Sequence, residues 1–348
     1  MNQALTVESS FTSGAVERRA GRNMKAVVYR RYGAPGVVSL AEVPKPSPKR
    51  GEVLIRMVAT TVTTGDWRAR SLTMPVGFGL LGRLVFGLFG PRKPILGTEL
   101  AGEIEAVGEA VTRFKAGDRV FAFSGGSFGC HAEYRTFAED GLIARKPANL
   151  SFAEAAALSF GGTTALSFLK DKGRIERGDR VLIVGASGGV GTAAVQLARH
   201  FGAHVTGVCS SANLELVRAL GAHCVIDYTA QDFATSGERY DIILDTTGTT
   251  SFSRCEPALN PGGRLLLVQA SFAQSLGLGR PPKASGKQVI AGVAAPRAED
   301  VRYLAELAEA GVLKPVIDRS YPLQNAAHAH AYVDTGRKRG NVVLSRPE

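Results

Sequence analysis

Four closely spaced glycines carry the most legible chemistry in this chain. Gly185, Gly188, Gly189 and Gly191 follow the apolar run Val181-Leu-Ile-Val184, and the helical pattern Thr192-Ala-Ala-Val-Gln-Leu-Ala-Arg-His-Phe-Gly202 comes next. Strand, tight turn and helix in that order make a pyrophosphate-binding element. Glycine lets the backbone approach the phosphates, and the helix N-terminus supplies oriented N–H groups and a partial positive charge. The match is Ala186-x-Gly188-x-x-Gly191, with alanine where the dinucleotide fingerprint has its first glycine. Ala186, Ser187, Gly188, Gly189, Val190 and Gly191 are the expected phosphate-binding residues, and a nicotinamide or flavin nucleotide is the expected cofactor. The same residues also fit Gly185-x-Ser187-x-Gly189, the nucleophile elbow of hydrolases, with His328 or His330 as a later partner. An elbow has no need of Gly191, and hydrolases do not begin with a run of short strands.

The end of the second strand selects the cofactor. An Asp or Glu there would bind the ribose 2′-hydroxyl of NADH, and the same acid would repel a 2′-phosphate. Here Cys209-Ser210-Ser211-Ala212-Asn213 holds no acid, and its serines and asparagine can hydrogen-bond a phosphate. NADPH is therefore expected over NADH. Arg337, in the cluster Arg337-Lys338-Arg339, is the candidate to fold back and supply charge; the alternative is a solvated basic loop.

These residues need a scaffold, and the chain alternates in two ways. Up to Pro147, short strands punctuated by Gly and Pro dominate: Lys25–Arg30, Glu52–Ala59, Ala101–Val107 and Gly117–Phe123. That pattern predicts a β-barrel-like domain. Beyond it, a helix over Phe152–Ala165 capped by Ser151 leads into strands at Val181–Val184, Val205–Cys209, Val225–Tyr228, Ile242–Asp245 and Arg264–Val268. Helical segments between them predict a doubly wound parallel sheet, so the fold class is α/β. A helix over Asp300–Ala310 and a closing strand at Asn341–Leu344 end the chain.

Composition narrows the setting. The length of 348 residues allows two domains with their own cores. Cys130, Cys209, Cys224 and Cys255 form no CxxC pair, which fits a reducing, cytoplasmic compartment without a disulfide framework. Met1–Asn23 is polar and lacks an apolar signal core, so it reads as a disordered tail. The net charge of +11 attracts phosphorylated ligands or anionic lipid. No nucleic-acid-binding motif accompanies it, so no nucleic acid is expected as a partner. Val76–Gly90 is the longest apolar stretch, interrupted by glycines and Arg83 and too short to span a membrane. It reads as a flap over a lipophilic acceptor, a helix packed on the core, or a peripheral membrane contact aided by Arg83, Arg92 and Lys93.

From Met24 to about Leu344 the chain resembles the zinc-free quinone oxidoreductase branch, related to zeta-crystallin, of the medium-chain dehydrogenase/reductase superfamily. The resemblance rests on Gly51-Glu-Val-Leu-Ile55, Gly97-Thr-Glu99-Leu-Ala-Gly102, Phe114-x-x-Gly117-Asp-Arg-Val120, Gly162-Thr-Thr164-Ala165, Gly185–Gly191, Ile226-Asp-Tyr228 and Asp245-Thr-Thr-Gly248 in order. It implies a GroES-like β-barrel catalytic domain at 24–148 and 271–348 and a Rossmann NAD(P)-binding domain at 149–270. It implies that Thr63, Thr64, Asp66 and Trp67 line the substrate cleft. Thr164, Ser210, Ser211, Asn213, Tyr228, Thr246, Ala270 and Asn341 would join the glycine turn in holding the cofactor. Asp66 has a structural alternative, an ion pair with Arg68 or Arg70. Zinc-dependent members place Cys and His where this chain has Thr63 and Thr98, and threonine is a poor zinc ligand, so no zinc is expected. Without a Lewis acid, hydride delivery to an electrophilic quinone or enone is favoured over alcohol oxidation. No residue stands out as a catalytic acid. The resemblance also implies a homodimer. The alternative function is an NADPH-binding sensor or membrane-surface adaptor with little turnover.

Overall fold

The computed structural model describes residues 23–278 and 283–346. The tail expected at 1–23 lies outside the described residues, save Asn23, which opens the first strand. The first domain begins with the hairpin of β1 (Asn23–Tyr29) and β2 (Val38–Pro44). It continues with β3 (Glu52–Val62), α1 (Thr64–Ser71), α2 (Gly79–Phe86), β4 (Glu99–Val107), β5 (Arg119–Phe123), β6 (Tyr134–Ala138) and β7 (Ile143–Arg145). The second comprises α3 (Phe152–Ala156), α4 (Ser159–Leu166), β8 (Arg180–Val184), α5 (Gly189–His200), β9 (His204–Cys209), α6 (Leu214–Ala219) and β10 (Cys224–Asp227). It goes on through β11 (Tyr240–Asp245), α7 (Phe252–Cys255), β12 (Leu259–Leu267), α8 (Phe272–Ser275) and β13 (Gln288–Ala291). The chain closes with α9 (Ala298–Glu309), β14 (Ile317–Pro322), α10 (Ala326–Asp334) and β15 (Asn341–Ser345).

The second domain holds a six-stranded parallel sheet in the order β10-β9-β8-β11-β12-β13. Its direction of winding reverses between β8 and β11, and ligands of such sheets bind at that switch point. The strands are nearly all apolar because helices cover both faces. The barrel sheet runs β14-β15-β3-β4-β5-β7, with β6 also on β3. Val53, Ile55 and Met57 of β3 alternate inward to its core.

Three expectations need correction. The Rossmann sheet does not end near residue 270, because β13 pairs in parallel with β12. The chain rejoins the barrel sheet only at β14. The helix expected over Phe152–Ala165 is two helices. A capping box of Ser151 and Glu154 opens α3, and Phe160 N at the start of α4 donates to the Glu99 carboxylate of the barrel. A cap supplied from another domain is invisible to local periodicity. Of the three readings of the apolar stretch at 76–90, the helix packed on the core is the one that fails: within α2 only Gly82 is buried, although Phe86 reaches Phe128.

Candidate functional site

The glycine turn sits at the switch point between β8 and α5. Gly185 adopts φ +80°, and a Cβ there would lie 2.4 Å from Thr247 Cγ2. At Gly191 a Cβ would fall 2.1 Å from Gly185 O, so only glycine lets the helix close on the turn. Helix geometry leaves the N–H groups of Gly189, Val190 and Gly191 without an intrahelical carbonyl. Among the described residues no capping side chain fills this terminus, as at α2, α4, α6 and α10, and here the residues that present the N–H groups are glycines and a valine. Such a terminus is built for an external anion. Thr246 Oγ1 donates to Val184 O at 2.8 Å and so pins the turn from the next strand.

The C-terminal segment closes over this turn. Gly340 N donates to Ser187 O at 2.7 Å, and Gly188 bridges Gly340. Asn341 Oδ1 and Lys338 Nζ stand 3.0 and 3.2 Å from where a Cβ on Gly189 would point. Lys338 is the cation of the basic cluster that faces the glycine turn, whereas the Arg337 side chain is exposed and its N–H donates to Thr335. Spacing in the basic cluster did not reveal which cation faces inward. Burial pushes the Lys338 ammonium down to about 8.

Beyond the C-terminal end of β9, Asn213 Nδ2 donates to Ser187 Oγ and Ser210 Oγ, both at 3.2 Å. Its Oδ1 is buried without a partner. Ser211 and Tyr228 are exposed nearby, at the ends of β9 and β10. Pairing of those strands sets Asp227 beside Cys209. Sequence reading missed this carboxylate because it looked only along β9. Asp227 accepts from Thr229 N and Oγ1, and these bonds hold it below the usual carboxylate range. The hydrolase reading fails here: Ser187 meets Asn213, and His330 is buried in α10 with neither ring nitrogen bonded.

The cleft floor lies where β3 runs into α1. Thr63 caps α1 and donates its hydroxyl to Asp66 Oδ2 at 2.6 Å. Asp66 Oδ1 accepts from Gly97 N at 2.7 Å. Asp66 is thus a buried cap that ties two loops together, with no arginine partner. Arg68 goes to Gln269 and Arg70 to Asp334 instead. Thr63 Oγ1 lies 3.4 Å from Thr98 Oγ1, and the Phe160 ring edge completes the group around Gly65. Thr64 and Trp67 are half-buried along α1. Thr164 is buried in α4, which backs the glycine turn through Gly161 against Gly189 O. Ala270 is buried next to Gln269, whose Nε2 donates to Thr246 O at 2.9 Å.

Glu99, quoted in a motif but given no role, is the most perturbed acid of the cleft. It is fully buried, accepts from Thr61 Oγ1 and Phe160 N at 2.5 Å each, and is pushed up to about 8 by burial. It joins the barrel to α4.

Comparison with known proteins agrees with this layout. Residues 49–148 match the alcohol dehydrogenase GroES-like domain, and residues 220–344 match the zinc-binding dehydrogenase family. The chloroplast envelope quinone oxidoreductase homolog of Arabidopsis thaliana is 33% identical over 93% of this chain and 99% of its own length. The NADPH-dependent alkenal/one oxidoreductase of the same plant is 30% identical over 98% and 85%. The structure of the quinone oxidoreductase from Coxiella burnetii superimposes with a TM-score of 0.83 at 28% identity, covering 94% of this chain and all of that one.

The second family description implies zinc, and the residues present do not fit it. Two hydroxyls and a phenyl ring offer no thiolate or imidazole, and Asp66 is spent on backbone and hydroxyl donors. Among the described residues no group of three His, Cys, Asp or Glu side chains could hold a metal ion. No helix among them is long and apolar enough to cross a membrane. With its GroES-like barrel, Rossmann sheet and uncapped glycine turn, the chain belongs to the quinone oxidoreductase branch of the medium-chain dehydrogenase/reductase superfamily.

Proposed function

We propose that this protein is a zinc-independent, NADPH-dependent reductase that delivers a hydride to a quinone or an α,β-unsaturated carbonyl. The observation that carries the reading is an uncapped helix N-terminus beside a cleft furnished with hydroxyls. Bound NADPH would supply the hydride; the chain's residues hold, orient and shield. Gly189–Gly191 would take the pyrophosphate, with Lys338 and Asn341 closing over it. Ser210, Ser211, Asn213 and Tyr228 would surround the 2′-phosphate, and Thr164, Thr246 and Ala270 the nicotinamide side. The Thr63 hydroxyl spends its proton on Asp66. That leaves Thr98 Oγ1 as the donor for charge developing on the acceptor oxygen. Thr64 and Trp67 would wall the acceptor and exclude water. The free edge of β13 is our choice for pairing with a second copy of the chain, and the α2 region for peripheral membrane contact.

The test is oxidation of NADPH and of NADH by a panel of quinones and enones, with metal-free protein in chelator. Turnover that favours NADPH and survives chelation is expected, and the best acceptor names the substrate class. Tight NADPH binding with no turnover would replace the reductase by the sensor or adaptor.

A further inference from the structure

The segment at 76–89 turns most of its large side chains outward. Leu80, Leu84 and Val85 of α2 are exposed, and Phe89 just beyond is 100% exposed. A second segment, at α8, exposes Phe272 and Leu276. The two segments are one surface. Phe78 and Phe272 pack edge to face with centroids 5.3 Å apart, and Phe272 N donates to Val76 O at 2.9 Å. This surface starts at the lip of the cleft, where Arg68 Nη2 donates to Gln269 Oε1 at 2.6 Å across the two domains.

Charge accompanies the first of these stretches. Residues 67–98 contain arginines and lysines and not one Asp or Glu. Arg83, Arg92 and Lys93 are exposed beside the leucines. Exposed leucines flanked by cations suit the interface of an anionic bilayer, which takes up apolar side chains and attracts the charges. A second copy of the same face would set cations against cations.

We propose that the α2–α8 face docks this protein on a membrane of acidic phospholipid, with the cleft mouth toward the lipid, so that a lipophilic acceptor enters from the bilayer. The docking stands on the surface alone; the entry route rests on the reductase reading. The test is flotation of the full chain with vesicles of phosphatidylcholine alone and with added phosphatidylglycerol. Binding should require the acidic lipid, weaken about tenfold or more when salt shortens the screening length, and vanish in Leu84→Asp/Phe89→Asp. That variant should keep wild-type NADPH binding and turnover with a water-soluble acceptor, which reports an intact fold, while its KM for a vesicle-borne acceptor rises. Absence of wild-type binding overturns the proposal, as does binding that survives the double substitution. A dimer that becomes a monomer in the variant assigns the face to a second copy instead. Flotation uses no acceptor, so a failed reductase reading is seen separately, in turnover.

Discussion

Replacing Glu99 by glutamine isolates one buried ionisable group that links the two domains. Burial lifts this carboxyl from 4.5 to about 8 in the folded protein, against bonds from Thr61 and Phe160 that pull the other way. The unfolded chain restores the ordinary value. Between those two values the folded state holds a proton that the unfolded state has released. Stability from this group is therefore complete at acid pH and is lost as pH rises through the folded value, by about 1.4 kcal/mol per pH unit. From near pH 5 to near pH 7 the loss is about 2–3 kcal/mol. Glutamine keeps an acceptor for Thr61 and has no proton to release. Urea unfolding of both proteins at several pH values gives the measurement. The stability difference, wild type minus Glu99→Gln, should decline steadily with rising pH. Parallel curves would refute the reasoning, because they mean that Glu99 folds with an ordinary carboxylate value.

Gly191→Ala should abolish NADPH binding in a fluorescence titration, since its Cβ would meet Gly185 O at 2.1 Å and force α5 off the turn; a dissociation constant within twofold of wild type would contradict this. Lys338→Ala should weaken NADPH binding by about tenfold, the scale of one charged contact at 1.4 kcal/mol, while Arg337→Ala leaves it unchanged. Equal effects of the two substitutions would mean that neither side chain faces the cofactor alone. Asp227→Asn should raise the preference for NADPH over NADH by removing the carboxylate nearest Ser211, and an unchanged ratio of the two dissociation constants would show that Asp227 lies beyond reach of the 2′-phosphate.

The Rossmann half was readable because its signals are local. Val181–Val184 runs straight into a glycine turn in which Gly185 and Gly191 leave no room for a Cβ, and the alternation of strand and helix repeats on schedule. What escaped the sequence reading depends on contacts between distant segments. Glu99 caps a helix 61 positions away, and Asp227 matters because β10 lies beside β9. Arg337, Lys338 and Arg339 look alike as a string, and only the close approach of Gly340 to Ser187 decides that Lys338 faces the turn. Asp66 stands close in sequence to Arg68 and Arg70, yet backbone N–H groups and Thr63 satisfy it. The apolar stretch at 76–90 was detected, but amphipathic spacing alone does not say whether a face meets protein or solvent.

One strand sets the order in which this molecule can be completed. β15, the last strand of the chain, lies between β14 and β3, and pairs Val342 with Val62 and Leu344 with Thr60. During synthesis the far end of β3 must therefore wait, its edge open, until residues 341–345 have emerged. The Rossmann strands, all contained between residues 180 and 291, have no such wait. The barrel, whose strands begin at residue 23, is thus closed only by a strand that follows every strand of the Rossmann sheet. A chain stopped before Asn341 would leave the N-terminal barrel unclosed and lack the side chain that stands over Gly189.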